Sequence, residues 1–110
     1  MQLSISRDDA VLTAALIGEL DHHTAAEIRE KIDAAILQER CATLILDLSG
    51  LTFMDSSGIG LIMGRYRLVR SLGGKMRLAG VSRRMHTVLR LAGMEKLPIW
   101  DTDTERIEAK

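Results

Sequence analysis

Two adjacent serines, Ser56 and Ser57, stand between Asp55 and an apolar run that begins at Gly58. The residues before them, "TLILDLSGLT", predict a buried strand followed by a loop, so both hydroxyls are expected where a helix begins. A serine in that position can cap the helix, attack a substrate, help to bind a phosphate, or accept a phosphoryl group from another enzyme. Each of these four chemistries makes a different demand on the rest of the chain.

A nucleophilic serine needs a base, usually a histidine that a carboxylate orients. The histidines are His22, His23 and His86, and the first two are predicted in a loop that can reach the same sheet edge. However, "DSSGIG" does not match the G-x-S-x-G nucleophile elbow, and 110 residues leave little room for a substrate pocket. We therefore expect no enzymatic activity and no catalytic residue.

Phosphate and metal binding are weakly indicated. "GIGLIMG" has glycines near a helix start but lacks the lysine of a P-loop and does not match G-x-G-x-x-G. His22 and His23 are adjacent and diverge on a regular element, and no second cluster has metal-ligand spacing. No cofactor and no metal are expected, although a nucleotide-binding module stays open as a weaker hypothesis.

Capping and phosphorylation remain as the two main interpretations. Unpaired N–H groups and the positive end of the helix dipole tolerate a phosphoserine at a helix N-terminus. Its charge of roughly −1.5 to −2 would change the surface beside Asp55 and repel an acidic partner without unfolding the domain. Physical chemistry alone favours Ser56 or Ser57 as a cap over a switch and leaves both open.

Composition bounds the class of protein. A chain of 110 residues with 46% apolar content fits one domain, and an aromatic content of 3% predicts an aliphatic core. One cysteine, no signal peptide at the N-terminus and no long apolar run predict a cytoplasmic location.

The net charge is zero, but its distribution is uneven. The stretch 61–94 contains bases and no acid, namely Arg65, Arg67, Arg70, Lys75, Arg77, Arg83, Arg84 and Arg90. We interpret it as a solvated helix face paired with acids elsewhere rather than a nucleic-acid site, because aromatic residues for base stacking are scarce. Arg65 and Arg67 are accordingly expected to be solvated.

The predicted elements begin with a hairpin of residues 2–6 and 10–17, with Asp8–Asp9 as its turn, followed by a loop over 18–23. Thr24 and Glu27 have the spacing of a capping box and open a helix to about residue 39. Residues 43–48 are expected to form a central strand buried on both faces, and 49–57 a loop. Further elements are a helix at 56–72 ended by Gly73–Gly74, a strand at 75–79, a helix from Ser82 to about Ala92, a weak edge strand at 97–100, and a short helix opened by Thr102 and Glu105.

This order of elements, ββαβαβα and then a weak strand and a helix, predicts the α/β class. The sheet is expected to be mixed and mostly parallel, with four to five strands and about four helices in a single domain over 1–110. Function in such sheets lies beyond the carboxyl ends of the strands, so the segments 18–23 and 49–57 are expected to share an edge.

The segments "GELDHHTA" (18–25) and "LSGLTFMDSSGIGLIMGRY" (48–66) resemble the anti-anti-sigma factors of the STAS class, in particular the anti-sigma-F factor antagonists of spore-forming bacteria. The resemblance covers about residues 3–100, and D-S-S-G after a strand is its most specific motif. It implies a small α/β domain that catalyses nothing and takes part in partner switching during sporulation.

The resemblance also implies partners and roles. The unphosphorylated form would bind an anti-sigma factor that is a serine kinase, ATP- or ADP-bound, and release its sigma factor. The kinase would phosphorylate Ser56, and a serine phosphatase would reset the switch, with no direct nucleic acid and no membrane involved. Asp21, His22, Asp55, Ser57 and Gly58 are the implied kinase-binding residues, and Gly58 would let the kinase approach the backbone. The alternative is a STAS-type regulatory module that binds a nucleotide or another protein without a phosphorylation switch.

Overall fold

The computed structural model describes residues 1–100, which fold in the predicted order ββαβαβα. The predicted helix at Thr102 and Glu105 lies outside the described residues. The elements are β1 (Gln2–Asp8), β2 (Val11–Leu20), α1 (His22–Glu39), β3 (Thr43–Met54), α2 (Ser56–Ser71), β4 (Lys75–Ala79) and α3 (Arg83–Leu91).

The four strands form one mixed sheet in the order β1-β2-β3-β4. β1 pairs antiparallel with β2, while β2–β3 and β3–β4 are parallel. The described part of the chain therefore confirms the α/β class and the mixed, mostly parallel sheet, with three helices where about four were expected.

The N-terminal hairpin is confirmed, but its turn lies one residue later than predicted, at residues 9–10, where Asp9 has a positive φ of 56°. The predicted loop over 18–23 is wrong. β2 continues to Leu20, because Glu19 and Leu20 pair with Phe53 and Met54 of β3. That pairing is a long-range contact which the local composition of the segment does not reveal.

β3 is central, as predicted, and twice as long as the predicted strand, so most of the expected loop over 49–57 is strand. The expectation that both of its faces are buried is wrong. Leu44, Leu46 and Leu48 are buried, whereas the alternate side chains Thr43 and Ile45 are only half-buried. The reason is that α1 and α2 pack against each other and against β2, β3 and β4, and so cover a single face.

The core on that face is aliphatic, as the composition predicts. Ile28, Ile32 and Ile36 of α1 and Leu61 and Ile62 of α2 belong to it, and each is at most 4% exposed. Burying each such side chain contributes about 2 kcal/mol relative to an exposed one. The aromatic residues are left at its margin, with Phe53 49% exposed and Tyr66 and Trp100 partly buried.

The last elements follow their predicted boundaries closely. α2 ends before Gly73, β4 occupies the predicted residues, and Ser82 caps α3 by accepting a hydrogen bond from the Met85 N–H at 3.1 Å. The predicted edge strand at 97–100 is reduced to one parallel bridge between Leu78 and Trp100. The Ile99 N–H, which a longer parallel pairing with β4 would use, instead donates to the Leu97 carbonyl at 2.8 Å within the segment itself.

Candidate functional site

The site forms where β2 and β3 end side by side. Leu20 pairs with Met54, and the Asp55 N–H donates a hydrogen bond of 3.2 Å to the Leu20 carbonyl. Each strand is followed by one aspartate, Asp21 or Asp55, and then directly by a helix. The predicted shared edge of the two segments is thereby confirmed, with the acidic residues as neighbours at its centre.

Asp21 is the N-cap of α1. Its Oδ1 accepts hydrogen bonds from the N–H groups of His23 (2.9 Å) and Thr24 (3.0 Å), and its own N–H donates to Thr24 Oγ1 at 3.1 Å. The predicted capping box of Thr24 and Glu27 is therefore wrong by three residues, since Thr24 is the third helical residue and not the cap. The hydrogen bond from the Thr24 N–H is the main cause that lowers the pKa of Asp21, although partial removal of the carboxyl from water opposes it.

Asp55 is the N-cap of α2. Its Oδ1 accepts a hydrogen bond from the Ser57 N–H at 2.8 Å. The interpretation of Ser56 or Ser57 as the cap is therefore wrong. An aspartate in extended backbone already satisfies one of the orphan N–H groups of the helix, that of Ser57, and the two serines occupy the first two helical positions.

The two serines differ in their surroundings. Ser56 is exposed, and its hydroxyl has no hydrogen-bond partner among residues 1–100. Ser57 is half-buried and lines a groove between α1 and α2. The Ser56 hydroxyl is thus the more accessible of the two.

Gly58 is buried, which differs from the expectation that it admits a partner to the backbone. A Cβ at this position would collide with the Met54 side chain and lie 3.2 Å from Leu20 Cδ2. The absence of a side chain therefore lets the first turn of α2 pack on the ends of both strands.

The groove beside Ser57 encloses about 340 Å³. Its lining residues are His22, Ala25, Ala26 and Arg29 from α1, and Ser57, Gly60 and Leu61 from α2. Sequence reasoning identified His22 and Ser57 but missed Arg29. The helical period was the available signal, because residues 22, 25, 26 and 29 share one face once α1 is known to begin at residue 22.

Arg65 was expected to be solvated, and that expectation is wrong. It is 6% exposed, and its Nε lies 2.7 Å from Asp33 Oδ1 as an ion pair, although the alignment is not that of a hydrogen bond. Burial is the main cause that lowers the pKa of Arg65, and the Asp33 carboxylate opposes it. Arg67, two residues further along α2, is exposed as expected.

The predicted pairing of the basic stretch with acids elsewhere holds for Arg65 but not for four of its other members. Arg67, Arg70, Lys75 and Arg77 form no ion pair with any residue of 1–100. The acid-rich hairpin turn lies at the β1 side of the sheet and β4 at the opposite edge, which separates the charges.

The histidines are not arranged as a ligand set. The rings of His22 and His23 lie 4.0 Å apart, while His86 is half-buried with its ring 4.7 Å from that of Trp100. Residues 1–100 hold no group of three or more His, Cys, Asp or Glu side chains suited to a metal ion. In the same range, no helix combines the length and apolar character that crossing a membrane requires.

In the described residues, the parallel strands β2 and β3 of a mixed four-stranded sheet are each followed by a capped helix, and D-S-S-G stands at the start of the second helix. This combination defines the class of protein. The family model described as "STAS domain" matches residues 2–106, and the chain belongs to the STAS-domain family. Within that family it is similar to the anti-sigma F factor antagonist of Paenibacillus polymyxa, with 39% identity over 97% of this chain and 92% of the relative.

Two solved structures share the fold. One is the anti-sigma factor antagonist SpoIIAA in its unphosphorylated form, with 33% identity, a TM-score of 0.78, and coverage of 98% of this chain and 95% of that one. The other is the Bacillus cell fate determinant SpoIIAA in the phosphorylated form, with 34% identity, a TM-score of 0.73 and coverage of 98% of both. These relatives are antagonists and not catalysts, so the chain is a regulatory protein and not an enzyme.

Proposed function

We propose that this protein is an anti-sigma factor antagonist switched by phosphorylation of Ser56. In the unphosphorylated state it binds an anti-sigma factor that is also a serine kinase, and the bound sigma factor is released. The kinase transfers a phosphoryl group from ATP to the Ser56 hydroxyl, which ends productive binding. A serine phosphatase hydrolyses the phosphoserine and restores the binding form.

The observation that carries the proposal is the state of the Ser56 hydroxyl. It is exposed, has no partner among residues 1–100, and stands beside an aspartate that already caps the helix. Phosphorylation there breaks no hydrogen bond of the cap. The first turn of α2 also places the positive end of the helix dipole beside the phosphate.

Local electrostatics make this modification a switch. Asp55 precedes Ser56, and Asp21 begins the neighbouring helix at the same edge. A phosphate of roughly −1.5 to −2 charges added to these two carboxylates makes the edge strongly anionic. A partner surface that fits the unmodified edge then meets repulsion and a larger desolvation cost.

We assign the partner contact to this edge, with Asp21, His22, Asp55 and Ser57 as contact residues. Gly58 supports the contact from beneath, because it is buried against Met54 and Leu20. The similarity to anti-sigma F factor antagonists supports a role in a sporulation circuit. We further propose that residues 1–110 form a single domain and that the protein acts in the cytoplasm.

Mass spectrometry tests the phosphorylation directly. The full chain is incubated with the cognate anti-sigma kinase and Mg–ATP, and intact mass and peptide fragments are measured. We expect one added phosphate, located on Ser56. Ser57→Ala is the matched control: it keeps the Ser56 hydroxyl and should carry one phosphate when the reaction is complete, even where the loss of a contact hydroxyl slows the transfer. Ser56→Ala should carry none. Equal phosphate on Ser56→Ala would contradict the assignment.

Binding measurements test the switch. Ser56→Ala should bind the kinase with an affinity within about threefold of the wild type, because a small, solvent-facing hydroxyl is lost. Ser56→Asp should bind at least tenfold more weakly, a penalty of about 1.4 kcal/mol for one added charge at the anionic edge. Equal affinities of the two variants would contradict an electrostatic switch at this residue.

A further inference from the structure

The groove between α1 and α2 has an unbalanced positive charge. Arg29 is the only arginine or lysine among its seven lining residues, and the groove holds no carboxylate. The groove is lined by small residues at Ala25, Ala26 and Gly60, and a Cβ at Gly60 would meet nothing within 4 Å. The Arg29 side chain is exposed in this open space.

The natural partner of Arg29 is engaged elsewhere. Asp33 lies four residues further along α1, at the spacing where a helical ion pair forms. Its Oδ1 is instead 2.7 Å from the Nε of the buried Arg65. Arg29 forms no ion pair or hydrogen bond with any residue of 1–100, and its charge contributes to lowering the pKa of Arg65. Arg29 and Arg65 thus both lie near the Asp33 carboxylate, but only Arg65 forms an ion pair with it.

We propose that Arg29 is a positioning residue of the phosphorylated state, whose guanidinium binds the phosphate on Ser56 and holds it at the mouth of the groove. This inference rests on the proposed function. Ser57 lines the same groove as Arg29, and the Cα of Ser56, the preceding residue, lies about 3.8 Å from that of Ser57. A phosphoserine and an arginine are long, mobile side chains whose charged ends form paired hydrogen bonds.

The consequence concerns the shape of the surface as well as its charge. A phosphate held by Arg29 fills the space between His22 and Gly60 that is open in the unmodified protein. It also neutralises the cation that a partner would find there. Phosphorylation would then remove both a groove and its positive charge from the contact edge.

The test uses the full chain with phosphoserine incorporated at position 56 during translation, so that no kinase is needed. The second ionisation of the phosphate is followed by ³¹P NMR as a function of pH in the wild type, Arg29→Gln and Arg29→Lys. Its ordinary pKa is about 6, and a bound cation lowers it. We expect Arg29→Gln to raise this pKa by about 0.4 unit or more, and Arg29→Lys to keep most of the wild-type value.

Arg67→Gln is the matched control. It removes the same charge from an exposed arginine of α2, about 16 Å along the helix axis from Ser56. This exceeds the screening length of about 8 Å at physiological ionic strength, so the phosphate pKa should not change. The same pKa in the wild type and Arg29→Gln, or an equal rise in Arg67→Gln, would overturn the inference. A kinase that leaves Ser56 unmodified would refute the proposed function and would not affect this result.

Discussion

At the scale of single residues, the site depends on a division of roles between aspartates and serines. Asp21 and Asp55 cap the two helices, and their carboxylates accept backbone N–H groups at 2.8–3.0 Å. Aspartate is a strong cap because its charge also complements the helix dipole. The serines after Asp55 are consequently not needed for the cap, and the exposed Ser56 is available for chemistry.

The pKa of Asp21 gives a prediction at this scale. Because the hydrogen bonds of the cap lower the pKa below its ordinary value of about 3.9, the cap stabilises α1 above that pH. This stabilisation is lost as the pH falls through the lower, folded-state value. Monitored by NMR between about pH 6 and 2, the amide protons of His23 and Thr24 should titrate with a midpoint below 3.9.

Asp21→Asn is the control for this titration, because asparagine also caps a helix but does not ionise. Its two amide signals should not titrate in the same pH range. A wild-type midpoint at or above 3.9 would show that the cap does not favour the ionised carboxyl.

At the scale of elements, Gly58 determines how α2 meets the sheet. We predict that Gly58→Ala destabilises the protein by about 1–3 kcal/mol, because the new methyl group forces Met54 to move and crowds Leu20. Gly64→Ala, on the same helix, is the matched control. Its Cβ would meet nothing within 4 Å, so the higher helix propensity of alanine should stabilise the protein by about 0.5–1 kcal/mol. Urea unfolding measures both, and equal effects would contradict the packing role of Gly58.

The ion pair between α1 and α2 gives a second prediction at this scale. The Arg65 side chain is 7% exposed and that of Asp33 is 30% exposed. Removing the Asp33 charge therefore leaves a buried guanidinium without its ion-pair partner, whereas removing Arg65 leaves an unpaired carboxylate on a partly exposed side chain. We expect Asp33→Asn to cost about 1–3 kcal/mol in the free energy of unfolding and Arg65→Met about 1 kcal/mol or less.

The double variant completes the cycle. Asp33→Asn should cost much less in the Arg65→Met background than in the wild type, since no buried cation remains there. Additive losses in urea unfolding would show that the two side chains act independently, despite the 2.7 Å between their charged atoms.

At the scale of the whole molecule, the described residues share one hydrophobic core. Ile99, near the end of the described chain, is fully buried, and its carbonyl accepts a hydrogen bond from the Leu78 N–H. We predict that Ile99→Ala costs about 2–4 kcal/mol and shifts unfolding followed by Trp100 fluorescence and by far-UV circular dichroism to the same extent. Leu91→Ala, at a side chain that is 78% exposed, should change stability by less than about 0.5 kcal/mol. Separate transitions for the two probes would contradict a single cooperative domain.

The sequence by itself determined what depends on local interactions. The order of elements, the ends of α2 and α3, the residues of β4 and the aliphatic core follow from periodicity, glycine stops and composition. The D-S-S-G segment was also expected beyond the carboxyl end of a strand, and it lies there, directly after β3.

The tertiary structure alone decided what depends on contacts between distant segments. β2 and β3 extend to Leu20 and Met54 because they pair with each other, and this pairing moved the start of α1 to residue 22 and the cap to Asp21. Only helix packing separates the buried Arg65 from the exposed Arg67, and assigns Asp33 to Arg65 and not to Arg29. Residues that are adjacent in the sequence determine the local conformational preferences of the backbone. Whether a charged side chain such as Arg29 is left without an ion-pair partner depends instead on which distant side chains the fold brings together.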